Sequence, residues 1–299
     1  MTSDKDTRGY PENTDAAALV NAACGASSRR DAGTDDACAR AGFTAVKPGT
    51  RRTITIAGDK YGFCYCPPGT FIMGAPAEEV CRPSILQFDD ETQHETTLTR
   101  GFWCLETLCP QRLWIAMMDR NPSYFVGLNL PVESVSYDDC LLFLAALNKR
   151  QALPDGYEFR LLTEAEWEYA CRAGTTTPFS WGAALNGDLA NCDGRYPYGT
   201  DVPGVWFNAT TNVKKYPPNP WGLYDMHGNL WGWVSDWYAA YPDGPVVDPT
   251  GPESGEDRVN RGGAWDYAAG NCRAARRDSY TPSVGSRYLG FRFVLAQTR

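Results

Sequence analysis

The stretch from Arg261 to Phe293 constrains this chain more than any other. Its frame is Arg261-Gly262-Gly263-Ala264-Trp265, then Asn271-Cys272-Arg273, then Leu289-Gly290-Phe291-Arg292. Between these anchors stand three groups and one isolated residue. Asp266, Tyr267 and Ala268 come first, followed by Arg276. Asp278, Ser279, Tyr280 and Thr281 form the second group, and Val284, Gly285, Ser286, Arg287 and Tyr288 the third. A packed element repeats its apolar residues every second position or at helical spacing. These groups do neither, and they are rich in Tyr, Ser, Asp and Arg, the chemistry of a contact surface. The frame is different. Trp265, Leu289 and Phe291 are expected in the core, and Gly262, Gly263 and Gly290 supply tight backbone geometry. Arg261 and Arg292 are expected as structural ion-pair partners.

A chain of 299 residues can bury a full core. Its 43% hydrophobic and 21% charged residues belong to a globular protein and exclude a disordered one. A formal charge of −8 lacks the basic footprint that nucleic-acid binding needs. Ten Trp and 16 Tyr imply either a large core or an interface to bury them. No apolar run is long enough for a membrane span. The polar start Met-Thr-Ser-Asp-Lys-Asp carries no apolar signal core, so the protein is either cytoplasmic or displayed at the cell surface after loss of a targeting segment. Eleven cysteines are an odd number, so one at least is free or bridged elsewhere. With only His94 and His227, no multi-histidine metal site or histidine triad set can be built.

Residues 1–57 are expected as a partly helical extension, with helical potential at Ala16–Cys24 and Asp35–Ala41. A Cys24–Cys38 bridge would be open to it in an oxidising compartment. Thr53 to Ile56 alternates as a strand does. Residues 58–299 are expected as the main domain. Short strands are predicted at Thr70–Gly74 and Gly101–Leu105, an exposed charged loop at Arg82–His94, and a helix from Pro110 to about Met118. Ser136 with Asp139 and Thr163 with Glu166 sign the starts of two better helices. Their buried stripes are Cys140, Phe143, Leu144 and Leu147 in one, and Trp167, Ala170 and Cys171 in the other. Glu164, Glu166 and Glu168 sit at that second helix start, where dipole and capping roles outweigh carboxylate catalysis. From Phe179 to Pro220 the chain reads as loop. A Trp-dense strand follows Gly228, and strands at Arg258–Gly263 and Leu289–Leu295 frame the closing segment. The class is α+β, with helices early and irregular β structure late.

Five co-linear motifs over about residues 62 to 295 resemble the formylglycine-generating-enzyme, or sulfatase-modifying-factor, family. They are Pro-Val-Glu-Ser-Val-Ser-Tyr-Asp-Asp at 131–139, Arg-Leu-Leu-Thr-Glu-Ala-Glu-Trp-Glu-Tyr-Ala at 160–170 and Gly-Leu-Tyr-Asp-Met-His-Gly-Asn-Leu-Trp-Gly-Trp at 222–233. Arg-Gly-Gly-Ala-Trp and Leu-Gly-Phe-Arg complete the set. The resemblance implies a C-type-lectin-like fold with little regular secondary structure. It does not by itself imply the reaction. The oxidases of the family carry two cysteines in this last segment that bind copper and handle a client cysteine. Here Tyr267 stands at the first position, Cys272 at the second, and Ala264 replaces the serine after Gly-Gly. A phenol cannot stand in for a soft thiolate at copper. The iron-dependent sulfoxide synthases that share the domain need three histidines, which this chain lacks.

A third branch, the variable proteins of diversity-generating retroelements, resembles the segment best. Their closing segment is rewritten by adenine-directed mutagenesis of Asn-rich templates between Arg-Gly-Gly, Asn-Cys-Arg and Gly-Phe-Arg anchors. That resemblance implies a non-catalytic, monomeric protein that needs no cofactor and binds a protein or other macromolecular ligand. The contacts would be Asp266, Tyr267, Ala268, Arg276, Asp278, Ser279, Tyr280, Thr281, Val284, Ser286, Arg287 and Tyr288. The alternatives are a formylglycine-generating-type oxidase and an inert structural relative. Family members also hold structural calcium near positions matching Asn191 and Asn229. Asp188, Asp193 and Asp201 are the acids expected to serve a site at Asn191, whereas Gly232 replaces the glutamate expected after Asn229.

Overall fold

The computed structural model describes residues 46–80 and 91–298. The helical potential at Ala16–Cys24 and Asp35–Ala41, the Cys24–Cys38 bridge, and most of the loop expected at Arg82–His94 lie outside the described residues. Twelve strands and three α-helices are found among them. The first strands are β1 (Arg51–Ile56), β2 (Asp59–Cys66), β3 (Gly69–Met73), β4 (His94–Leu98) and β5 (Phe102–Leu105). Helices α1 (Gln111–Met118) and α2 (Tyr137–Arg150) follow, then β6 (Tyr157–Leu161) and α3 (Glu164–Arg172). After a long irregular stretch come β7 (Trp231–Trp237), β8 (Val246–Val247), β9 (Arg258–Arg261), β10 (Arg277–Tyr280), β11 (Leu289–Phe291) and β12 (Phe293–Gln297). The α+β class is as expected, but the order is not: five strands precede the first helix among the described residues, so β structure flanks the helices on both sides.

Three sheets form. The largest has the order β1-β2-β5-β12-β6 and is antiparallel throughout. A second has the order β10-β9-β7-β11, with β11 parallel to β7, and a third the order β3-β4-β8. Since β1 pairs with β2 along its whole length, the main sheet begins inside the stretch read as the extension. The strand expected at Leu289–Leu295 splits into β11 and β12, which enter different sheets on either side of Arg292. The closing segment thus clamps two sheets together.

Both capping boxes form as read. The Ser136 hydroxyl accepts from Asp139 N–H while the Asp139 carboxylate accepts from Ser136 N–H, and Thr163 and Glu166 do the same. Cys140, Phe143, Leu144 and Leu147 are buried as the stripe predicts, and Phe143 stacks on Trp114 with 5.4 Å between centroids. Together with Trp103, Phe159, Phe291 and Phe293 they make the main core. Helix α3 departs from a one-sided pattern because all nine of its residues are buried. Pro110 serves as the N-cap of α1 rather than as its first residue.

Candidate functional site: a buried frame and an exposed face

Strand β9 delivers Arg261 to the interior, where it is 0% exposed. Its guanidinium pairs with Glu168 and donates to the carbonyls of Ala275 and Arg276, each at 2.7 Å, and Ala274 at 3.0 Å. One buried arginine thus fixes a whole turn of the closing segment. Arg277 makes a two-pronged bond to Glu164 at 2.6 and 2.9 Å. Arg273 binds Glu91 at 2.7 and 2.9 Å and Glu79 at 2.6 Å. The Arg172 and Arg261 guanidiniums hold the Glu168 carboxyl below its ordinary range, against the opposing effect of its burial. Glu166 keeps the capping role expected of it and also binds Arg160. Glu164 and Glu168 are ion-pair partners of the frame. Arg292, expected in an ion pair, instead donates to the carbonyls of Leu105 at 3.3 Å, Tyr224 at 2.6 Å and Asp225 at 2.9 Å. The Tyr224 and Asp225 carbonyls belong to irregular backbone, whose polar groups need partners when buried, and Leu105 ends β5.

Gly263 has a φ of +77°, and a Cβ there would lie 2.5 Å from Cys272 Sγ and 2.9 Å from Asn271 O. The double glycine is therefore required by both conformation and space. Trp265 and Phe291 are buried, as are Leu289 and Gly290. His227, from the Gly-Leu-Tyr-Asp-Met-His motif, closes the frame from below. Its Nδ1–H donates to Cys272 O at 2.7 Å, and its Nε2 accepts from Ser180 N–H at 3.1 Å. Burial pushes the ring down to about 4, with the Arg172 and Arg292 charges acting in the same sense. It is a neutral, structural histidine.

The residues between the anchors behave otherwise. None of the twelve sequence-derived contact residues is buried: Tyr280, Thr281, Val284 and Arg287 are exposed and the other eight are half-buried. Four form a contiguous group. The rings of Tyr267 and Tyr288 meet edge to face at 5.6 Å, Tyr288 OH donates to Asp266 at 3.3 Å, and Arg287 donates to Tyr288 OH at 2.7 Å. Tyr288 stacks on Trp265 at 5.2 Å, so the group sits directly on the frame. Tyr267 meets Trp231 edge to face at 5.6 Å and Tyr280 of β10 meets Trp233 at 6.5 Å, so both rest on β7. That four residues of the mixed stretch form β10 was not visible in their pattern. The cause is pairing with β9, with Asp278 opposite Asn260 and Tyr280 opposite Arg258.

Not every expected residue joins this group. Ser279 and Thr281 turn instead onto Asp257, at 3.5 and 3.0 Å. Ala268 sits where the chain bridges to Asp193, and Ser286 where its carbonyl accepts from Ser134 N–H at 3.0 Å. Arg276 lies in the electrostatic field of Asp278. One neighbour was missed altogether. Tyr124 is 67% exposed, with the Arg287 guanidinium 5.8 Å from its ring centre. Its loop is fastened by Gln111, whose side chain donates to Phe125 O at 2.7 Å and accepts from Gly127 N–H at 3.0 Å. No local signal could have joined residue 124 to residue 287.

The positions that carry chemistry in the related oxidases are closed or replaced here. Ala264 and Cys272 are both 0% exposed, and the neighbouring Cys192 thiol and burial push the Cys272 thiol up, so it stays protonated. Calcium at Asn191 does not fit the acids expected to serve it. Asp193 is bound by Arg195 at 2.7 and 2.8 Å, and Asp188 and Asp201 are exposed. Asn191 spends its amide on Ala209 O and on Asn229 Oδ1, at 2.9 and 3.1 Å. Its Oδ1 is buried without a partner, yet a lone amide oxygen lacks the charge that calcium requires. Among the described residues no three of His, Cys, Asp and Glu gather as a metal site, and no helix is long and apolar enough to cross a membrane.

Comparison with known proteins places this architecture. Residues 59–297 match the family described as the sulfatase-modifying factor enzyme 1-like domain. The formylglycine-generating enzyme of Streptomyces coelicolor is 38% identical over 174 residues, covering 55% of this chain and 52% of that enzyme. The Bos taurus enzyme is 37% identical over 171 residues, covering 54% and 43%. The chain thus spans about half the length of these curated relatives. Among solved structures, Treponema denticola variable protein 1 superposes with a TM-score of 0.69 at 25% identity, covering 83% of this chain and 99% of that one. PvdO from Pseudomonas aeruginosa gives 0.70 at 28% identity, covering 85% and 100%. With its motifs, its frame and its C-type-lectin-like α+β fold in agreement, the chain belongs to the sulfatase-modifying-factor, or formylglycine-generating-enzyme, family.

Proposed function

We propose that this chain is a non-catalytic variable protein of a diversity-generating retroelement, which binds a macromolecular ligand through the surface between its closing anchors. One observation carries the reading. The twelve intervening contact residues, picked from residue types, are all unburied, whereas every anchor residue except Asn271 is buried, together with Ala269, Ala274, Ala275 and Arg277 between the anchors. Tyr267, Tyr288 and Arg287 would act as anchors of the contact, because large rigid rings and a planar cation give much contact area at low entropic cost. Asp266, Asp278 and Ser286 would supply adaptable hydrogen bonds. Likeness to Treponema denticola variable protein 1 supports the same reading.

The rival is a formylglycine-generating-type oxidase, favoured by identities of up to 38% to such enzymes. Tyr267 and Ala264 speak against it, because copper chemistry on a client cysteine needs a thiolate that a phenol cannot replace. Sequencing the neighbouring DNA separates the two. A near-copy of the coding segment for 261–293, with Asn codons at the intervening positions and a reverse transcriptase beside it, is expected. Formylglycine formed from a cysteine peptide by the copper-loaded protein would overturn the proposal.

A further inference from the structure

Cys272 is the one member of the oxidase cysteine pair kept in this chain, and it does not face the surface. Its thiol points inward, and both it and Cys192 are buried free thiols. The two sulfurs lie in one apolar cluster with Phe179, Leu185 and Ala190, at 1% and 0% exposure. Both backbones are held in place independently of the sulfurs. Asp193 N–H donates to Tyr267 O at 2.9 Å, Ala269 N–H donates to Tyr196 O at 3.1 Å, and His227 grips Cys272 O at 2.7 Å. The absence of a side chain at Gly263 leaves the space that Cys272 Sγ occupies. The nearest rival thiol, Cys171, is turned to the ring of His227 at 3.5 Å.

We propose that Cys192 and Cys272 form a disulfide when the chain folds in an oxidising compartment. Two S–H bonds break and one S–S bond forms. The two electrons and two protons pass to a low-molecular-weight disulfide of the glutathione type, which leaves as two thiols. Since both sulfurs are sealed in the folded chain, the bond closes during folding and is then shielded from reductants. The crosslink closes a loop of 80 residues between positions 192 and 272, and so removes substantial freedom from the unfolded chain. It also has a local consequence. It pins the Asn-Cys-Arg anchor to the loop beneath Asp266, Tyr267 and Ala268, so the frame stays put whatever side chains occupy those three positions. The bond does not depend on what, if anything, the face binds.

The test refolds the full chain in a glutathione redox buffer, blocks free thiols with iodoacetamide and maps the tryptic peptides. Residues 173–195 and 262–273 each fall in one tryptic peptide with a single cysteine. A crosslinked pair of these two is expected, lost on reduction and absent from Cys192→Ala. The oxidised chain should melt roughly 5–10 °C above the reduced one, and Cys192→Ala should lose that difference. Should Cys192→Ala fail to fold, Cys272→Ala provides the same comparison. Two alkylated cysteines at 192 and 272, or a crosslink from Cys272 to the peptide bearing Cys171, would overturn the proposal.

Discussion

The anchors and the residues between them occupy the same 33-residue stretch, 261–293, yet obey opposite rules. Arg261, Arg273 and Arg277 are buried arginines whose charges are met by Glu168, Glu91 and Glu164. Arg287 lies in the same stretch, and its partners are the rings of Trp265, Tyr288 and Tyr124 at the surface. In the frame a side chain is specified by a partner that would be left buried and unpaired without it. On the face a side chain is specified by little within its own chain. The proposed rewriting of one set of positions would require that contrast, because folding would then depend on the residues that do not change.

The contrast can be broken most directly at Glu168. Removing it leaves the buried Arg261 charge with only Glu164, at 3.7 Å, and takes the partner of Arg172, so Glu168→Ala is expected to cost about 3–5 kcal/mol of stability by denaturant unfolding. A cost no greater than that of a face substitution would mean that the ion pairs do not define the frame. Next in size is the pH response of His227. Its folded value of about 4 lies below the ordinary 6.5, so the neutral ring favours folding. That stability is fully present above pH 6.5 and is lost as pH falls through about 4, amounting to about 3 kcal/mol. Asp225, pushed up to about 6 by burial, titrates in the opposite sense over the same window. The measurement is therefore the difference in acid sensitivity between the parent chain and His227→Gln, which is expected to lack the His227 contribution. The smallest effects sharpen the other side. Tyr280→Ala, Thr281→Ala and Val284→Ala should each change stability by no more than about 0.5 kcal/mol, read by thermal unfolding. A large loss at these positions would show them to be structural.

Much of the frame was legible in residue types. Both capping boxes, the stripe of α2, and the burial of Trp265, Leu289 and Phe291 follow from local spacing and hydrophobicity. The unburied character of the intervening residues followed from their lack of periodicity. Less legible was anything set by a distant partner. Helix α3 looked one-sided because its glutamates were given only dipole and capping roles, and Glu164 and Glu168 are buried because Arg172, Arg261 and Arg277 reach them. Arg292 looked like an ion-pair residue because no local signal shows that the irregular Tyr224–Asp225 backbone needs its donors. Asn191 looked like a ligand until Arg195 was seen to take up Asp193.

The sequence by itself separated the named anchors from the twelve intervening contact residues, since that choice depends on local chemistry: glycine pairs, large apolar rings and the absence of a packing period; it did not mark Ala269, Ala274, Ala275 or Arg277 as buried. Only the tertiary structure decided what holds the frame and what borders the face. Strand β10 exists through its pairing with β9, Tyr124 arrives beside Arg287 on a loop fastened by Gln111, and Cys272 turns from the surface into the buried cluster that holds Cys192. Each of these joins residues distant in the chain. A contact across such separations is fixed by sheet order and packing, which no local window of sequence contains.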